Sequence, residues 1–151
     1  NNKAQSPTNL TWGTSGVLNY VNALAADGNT NSAPAITIAY NALMSGTEEP
    51  AHKDKAGNGQ VPSKYIVFMT DGDNNLSNAD TDTRTQCDLA RDKNIEVYTI
   101  AFMAPSRGQT LLKYCATTPN HYFAAESTAD LLAAFQSIGQ QASALVSRLT
   151  K

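Results

Sequence analysis

The stretch Lys64-Tyr65-Ile66-Val67-Phe68-Met69-Thr70-Asp71-Gly72-Asp73-Asn74-Asn75 decides the fold, because an unbroken apolar run there breaks off into a cluster of carboxylate and amide oxygens. An apolar run without polar alternation predicts a parallel strand covered on both faces, and in open α/β sheets ligands bind beyond the carboxyl ends of such strands. Asp71 is thereby expected at a cleft. Oxygen ligands of this kind suit a hard divalent cation such as Mg²⁺.

Downstream of that loop, residues 83–93 read as a helix and 95–102, Ile-Glu-Val-Tyr-Thr-Ile-Ala-Phe, as a second buried strand. Residues 111–116 read as a short helix and 121–125 as a third strand. The last element is a long helix whose apolar face is marked by Leu131, Phe135, Ile138, Ala142, Leu145 and Leu149. It opens at Ser127, with Asp130 three residues on in the manner of a capping box.

Upstream, Val17, Leu18, Val21, Leu24 and Ala25 recur at helical spacing and stop at Asp27-Gly28. A second helix starts at Ser32, with Pro34 in its first turn, and carries Ile36, Ala39, Tyr40 and Leu43 before Gly46. Residues 47–63 are polar and contain Pro50, Gly57, Gly59 and Pro62, which predicts a surface loop. Strand alternating with helix gives an α/β fold, a doubly wound and mainly parallel sheet with helices on both faces.

The chain has 151 residues, 41% hydrophobic and 16% charged, which fits one globular domain. A net charge of -2 and singly scattered lysines and arginines leave no footprint for nucleic acid. No apolar run approaches the roughly 18 residues of a membrane span. The chain opens on Asn1-Asn2-Lys3 without a methionine, so it reads as a mature product or a piece of something longer.

The order helix, Gly28-Asn29-Thr30, helix, apolar strand, Thr70-Asp71-Gly72, helix, and then the 95–102 strand resembles the von Willebrand factor A domain. Within that family, Cys87 and Cys115, Tyr122-Phe123-Ala124-Ala125, the 131–135 segment and Arg148-Leu149-Thr150-Lys151 resemble the C-terminal part of TadG-like proteins. These are envelope components of bacterial tight-adherence (Flp) pilus assembly. The resemblance runs from Ser6-Pro7-Thr8 to the end. It implies that residues 1–151 are the C-terminal portion of a single domain in the bacterial periplasm or cell envelope. Its implied function is that of a non-catalytic adhesion module whose partner is a protein, either a pilus or envelope component or an adhesion target.

The resemblance also implies a metal-ion-dependent adhesion site holding Mg²⁺ or Mn²⁺. Thr30 matches the threonine of its second loop and Asp71 the aspartate of its third. The first loop, Asp-x-Ser-x-Ser, is absent; Asp73-Asn74-Asn75-Leu76-Ser77 imitates it on the wrong loop. Two protein oxygens hold a hard cation weakly, so metal binding by this chain alone is expected to be weak or absent. The family's strand leading into that first loop is missing as well. An apolar edge is therefore expected on the 65–69 strand, to be covered by an upstream segment or a second chain.

Cys87 and Cys115 fall on neighbouring helices that flank the 95–102 strand. A disulfide between them is expected, consistent with an oxidising compartment, the other reading being two buried thiols. Asp71 and Thr30 have plain readings as turn residues, and Asp73, Asn74 and Asn75 as shapers of the rim. His52 and His121 lack ligand spacing and read as structural. Gly57-Asn58-Gly59 is a turn signal.

An EF-hand loop starting at Asp71 fails, since its sixth position is Leu76 and its twelfth Asp82. Asp71-Gly72-Asp73 has the spacing of a Mg²⁺-dependent phosphatase nucleophile and acid. Later strand ends supply no lysine or paired aspartates to complete such a site, so an enzyme is the alternative, together with a scaffold whose metal site is vestigial.

Overall fold

Residue Tyr98 lies at the centre of the protein, wholly buried in a strand whose neighbours on both sides are parallel to it. The computed structural model describes residues 13–25 and 29–148, with side chains to residue 143. Its elements in order are α1 (Ser15–Ala23), α2 (Ala33–Leu43), α3 (Glu48–Ala56), β1 (Lys64–Thr70), α4 (Ala79–Asp92), β2 (Ile95–Phe102), α5 (Ser106–Cys115), a 3₁₀ turn (Pro119–His121), β3 (Tyr122–Ala125) and α6 (Thr128–Arg148). The strands form one parallel sheet in the order β1-β2-β3, with Ile66 opposite Val97 and Thr99 opposite Tyr122. This is the α/β architecture expected from the sequence.

Because side chains alternate along a strand, each face of the sheet collects every second residue. Ile66 of β1 with Ile95 and Val97 of β2 meets Ile36 of α2, Cys87 and Ala90 of α4, and Leu111 and Cys115 of α5. On this face Cys87 and Cys115 are joined in a disulfide, as expected, with both residues fully buried. An exposed network overlies it: the Arg84 guanidinium lies 4.3 Å from the Tyr114 ring centre, and the Tyr114 hydroxyl donates to Asp88 at 2.8 Å.

Among the described residues the opposite face is covered by α6. Tyr98, Ile100 and Ala125 pack there on Ala134 and Ile138, with Tyr65, Phe102, Phe123 and Leu131 partly buried around them. Burial pushes the Tyr98 phenol up to about 12, helped by the nearby Glu96 carboxylate that accepts its hydrogen bond. The His121 ring stacks on Tyr98 with centres 4.1 Å apart, and His52 lies 3.9 Å from Glu48, so both histidines do have structural neighbours. The start of α6 is built as expected: the Ser127 hydroxyl accepts the Asp130 amide at 3.2 Å, and the Asp130 carboxylate accepts the Glu126 amide at 3.1 Å.

Several expectations need correction. Among the described residues β1 is not covered along both faces: Val67 and Met69, on the α6 side with Tyr65, remain 42% and 48% exposed. Among the described residues β1 is also an edge strand, so its outer edge has no strand partner. Phe135 is not part of the buried face of α6 but 45% exposed; the helix is rotated so that Ala134 and Ile138 face the sheet.

The supposed loop 47–63 contains α3. Glu48 and Glu49 in its first turn, Lys53 and Lys55 in its last, the Glu49–Lys53 pair at 3.3 Å and the left-handed Gly57 at its end stabilise a helix with no buried face. Periodicity cannot reveal such a helix, since it has no apolar stripe to show. Helix α1 forms, yet Val17, Leu18 and Val21 on it and Leu24 just after it are all exposed. Helices α4 and α5 begin four and five residues before the expected starts. Expectations resting on Ser6-Pro7-Thr8, Asp27-Gly28, the Leu145 side chain and Leu149-Thr150-Lys151 lie outside the described residues.

Candidate functional site

Strand β1 ends at Thr70, whose hydroxyl folds the chain sharply by donating to the Gly72 carbonyl at 3.2 Å and accepting the Gly72 amide at 3.3 Å. That turn leaves Asp71 exposed at the carboxyl edge of the sheet. Gly72 is pressed against the segment before α2: a Cβ there would stand 3.2 Å from the Thr30 hydroxyl. The Thr30 side chain and the Asp71-Gly72 turn therefore lie on adjacent loops at one edge of the sheet.

The three residues after Gly72 tie this turn down. Asp73 Oδ1 accepts the amide of Gly108 at 2.6 Å, supplying from 35 residues away a cap for the first turn of α5, which has no side-chain cap of its own. Gly108 cannot be larger, since a Cβ would approach the Gly72 carbonyl oxygen to 2.8 Å. Asn74 Oδ1 accepts the Ser32 amide at 2.8 Å, and Asn74 Nδ2 donates to Asp80 Oδ1 at 2.8 Å. Asn75 and Thr30 exchange two bonds, Thr30 N–H to Asn75 Oδ1 at 2.7 Å and Asn75 N–H to the Thr30 carbonyl at 3.0 Å.

Further out, Ser32 Oγ and Thr83 Oγ1 are 2.8 Å apart, and Arg107 Nε donates to Asp80 Oδ2 at 2.8 Å. Ser32 thus precedes α2 without capping it through its hydroxyl, which is engaged with Asn74 and Thr83 instead. At the same carboxyl edge, the segment following β2 carries Met103, which takes a left-handed φ of 51° and is 61% exposed. The nearby carboxylates are engaged separately, Asp73 with the Gly108 amide and Asp80 with Asn74 and the Arg107 guanidinium, while Asp71 is exposed.

Of the residues singled out from sequence, Thr30 and the Asp71-Gly72 turn are brought to one place and the cysteines to another, in the buried core between α4, α5 and the sheet. Asp73 faces Gly108, where one carboxylate oxygen is already engaged. Sequence reading missed Ser32, Thr83, Asp80, Arg107 and Gly108 as parts of this cluster, and gave Asn74 only a rim role. The one legible signal was the polar run 73–75 itself, since polar residues after a buried strand must find partners somewhere.

The donor set is of the right chemical kind for a hard cation, a carboxylate and a hydroxyl, but such ions take about six or more oxygens. Among the described residues no group of three or more histidine, cysteine, aspartate or glutamate side chains is placed to hold a metal. These residues do not by themselves make a complete cation site.

Among the curated proteins, none matches the chain. The von Willebrand factor type A domain profile matches it over residues 3–138. That span takes in the parallel sheet, the helices α1 to α5, the first half of α6 and the cleft at the sheet's carboxyl edge. The protein accordingly belongs to the von Willebrand factor type A domain family, whose members act in general as protein-interaction or adhesion modules and commonly bind a metal ion.

Proposed function

We propose that this chain is a non-catalytic protein-binding module of a bacterial envelope, the C-terminal portion of a TadG-like domain in tight-adherence (Flp) pilus assembly. The adhesion site is incomplete in it. The observation that supports this reading is the meeting of the Thr30 hydroxyl with the Asp71-Gly72 turn at the carboxyl edge of the sheet, where two of the three ligand loops of such a site belong. The TadG-like assignment rests on the resemblance in Cys87 and Cys115, residues 122–125 and the 148–151 ending. A buried disulfide between those cysteines is compatible with an extracytoplasmic location.

The exposed Asp71 carboxylate and the Thr30 hydroxyl are the groups that would contact Mg²⁺ or Mn²⁺ in the complete domain, and a cation so held leaves room for a carboxylate from a partner protein. The edge of β1 that is unpaired among the described residues supports the further reading that an upstream segment or another chain completes the sheet. The phosphatase alternative is disfavoured by Asp73: a general acid has to reach the substrate, whereas its Oδ1 is spent on the Gly108 amide.

Titration of the chain with Mn²⁺, followed by paramagnetic broadening of backbone amide signals, tests the site. Broadening is expected to be weak, centred on Thr30 and residues 71–72, and lost in Asp71→Ala. Broadening spread over surface carboxylates such as Glu48, Asp54 and Asp92, or unchanged by Asp71→Ala, would sink the proposal. Turnover of a generic phosphate ester that disappears in Asp71→Ala would replace it with the enzyme.

A further inference from the structure

We infer that Asn74 is the positioning residue of the cleft: its buried carboxamide clamps the 30–32 segment to the 71–75 loop and so sets how the Thr30 hydroxyl stands to Asp71 before any ligand arrives. The purpose assigned to this clamp rests on the binding reading of the cleft given above; the clamp itself rests on geometry alone.

Asn74 is 3% exposed, although Asp71 and Asn75 on the same loop are open to solvent. A buried carboxamide offers an oxygen that accepts and a nitrogen that donates two protons, and burial is tolerable only when these are matched. Here Oδ1 lies 2.8 Å from the Ser32 amide and 3.0 Å from the Ser32 hydroxyl. Nδ2 lies 2.9 Å from that same hydroxyl and 2.8 Å from Asp80 Oδ1. One side chain therefore joins the start of α2 to the first turn of α4, and through Asp80 to Arg107 on α5.

The chemistry admits few substitutes. An aspartate at this place would lack the donor and would face the Asp80 carboxylate. An alanine would leave the Ser32 amide without its acceptor inside a buried network. The lever is short: Ser32 is two residues from Thr30 and Asn74 is three from Asp71, so a shift at the clamp reaches both cleft groups with little chain to absorb it. Asn75, bonded twice to Thr30, completes the grip at the solvent side.

A swap of donor and acceptor tests the assignment on the whole chain. Asn74→Asp alone should speed hydrogen exchange of the Thr30 and Asn75 amides by about tenfold or more relative to those of β2, because the lost bond opens the cleft locally. Combining Asn74→Asp with Asp80→Asn restores a carboxamide-to-carboxylate bond with its polarity reversed and leaves an oxygen for Arg107. This double variant is expected to recover exchange close to that of the unmodified protein. Should Asn74→Asp fail to fold, Asp80→Asn alone, which makes Asn74 and Arg107 compete for one oxygen, should accelerate the same amides more mildly.

Ile138→Val, a change on the other face of the sheet, serves as the control and should leave the Thr30 and Asn75 amides in step with β2. The inference is overturned if exchange at Thr30 and Asn75 stays in step with β2 in every variant at residue 74 or 80, or if the double variant gives no recovery. Exchange is measured without metal, so it judges the clamp even if Mn²⁺ shows no site. Where Mn²⁺ does broaden Thr30 and residues 71–72, that pattern should weaken in Asn74→Asp and return in the double variant.

Discussion

The two faces of the sheet receive strands of nearly equal apolarity and treat them differently. One face is sealed by α2, α4 and α5, with Ile66, Val97, Leu111 and the Cys87–Cys115 bridge packed into it. The other, among the described residues, has α6 packed chiefly on β2 and β3, and Val67 and Met69 of β1 and Phe135 of α6 stay about half exposed. Apolar residues are thus spread over both faces, and what decides their burial is whether an element happens to lie above them. A parallel sheet is ordinarily covered on both faces, so among the described residues the exposed stretch of β1 is where the pattern is incomplete.

The largest expected effect lies on the sealed face. Replacing both cysteines, Cys87→Ala with Cys115→Ala, should lower stability to denaturant by about 3 to 4 kcal/mol, the chain-entropy value for a loop of this length. The sequence separation of the bridge is 28 residues. A change under about 1 kcal/mol in the denaturant midpoint would mean that α4 and α5 are held together by packing and the Tyr114 network alone.

On the open face the effects shrink. Phe135→Ala should cost only about 1 kcal/mol, against the roughly 3 to 5 kcal/mol of a fully buried phenylalanine. A loss in the upper range would show that something covers α6 in solution and would erase the contrast between the faces. Smallest of all, Val67→Thr should change stability by no more than about 0.5 kcal/mol, because the residue is close to half exposed and threonine keeps the β-branched shape that strands favour. The same substitution would be costly if another strand and helix sealed that stretch, so thermal melts of the two variants together measure how open the face is.

Much of this was legible in the residues. The unbroken 95–102 run matches β2 to the residue, and both α6 and the carboxyl-edge position of Asp71 follow from pattern alone. What failed did so for identifiable reasons. Helix α3 has charge pairs in place of an apolar face, so no periodicity announces it. Phe135 sits at a helical spacing compatible with the core, and only the rotation of α6, set by Ala134 and Ile138 meeting Tyr98 and Ile100, turns it outward. In the cleft, Thr30 and Asp71 were legible through the family resemblance, whereas the links from Asn74 to Ser32 and Asp80, and from Asp73 to Gly108, join residues far apart in the chain.

The sequence by itself determined the alternation of strands and helices, the carboxylate at the end of β1 and the pair of cysteines available for a bridge, because each of these depends on residue type and local spacing. Only the tertiary structure decided which face of β1 is covered, which polar residues are buried and what they hold. Hydrogen bonds such as that from Ser32 to Asn74 span 42 residues, and an open sheet edge is defined by what does not lie beside it. Neither quantity is a property of any local stretch of chain. Both follow from where separate elements come to rest against one another, and there the clamp around Thr30 and Asp71 is made.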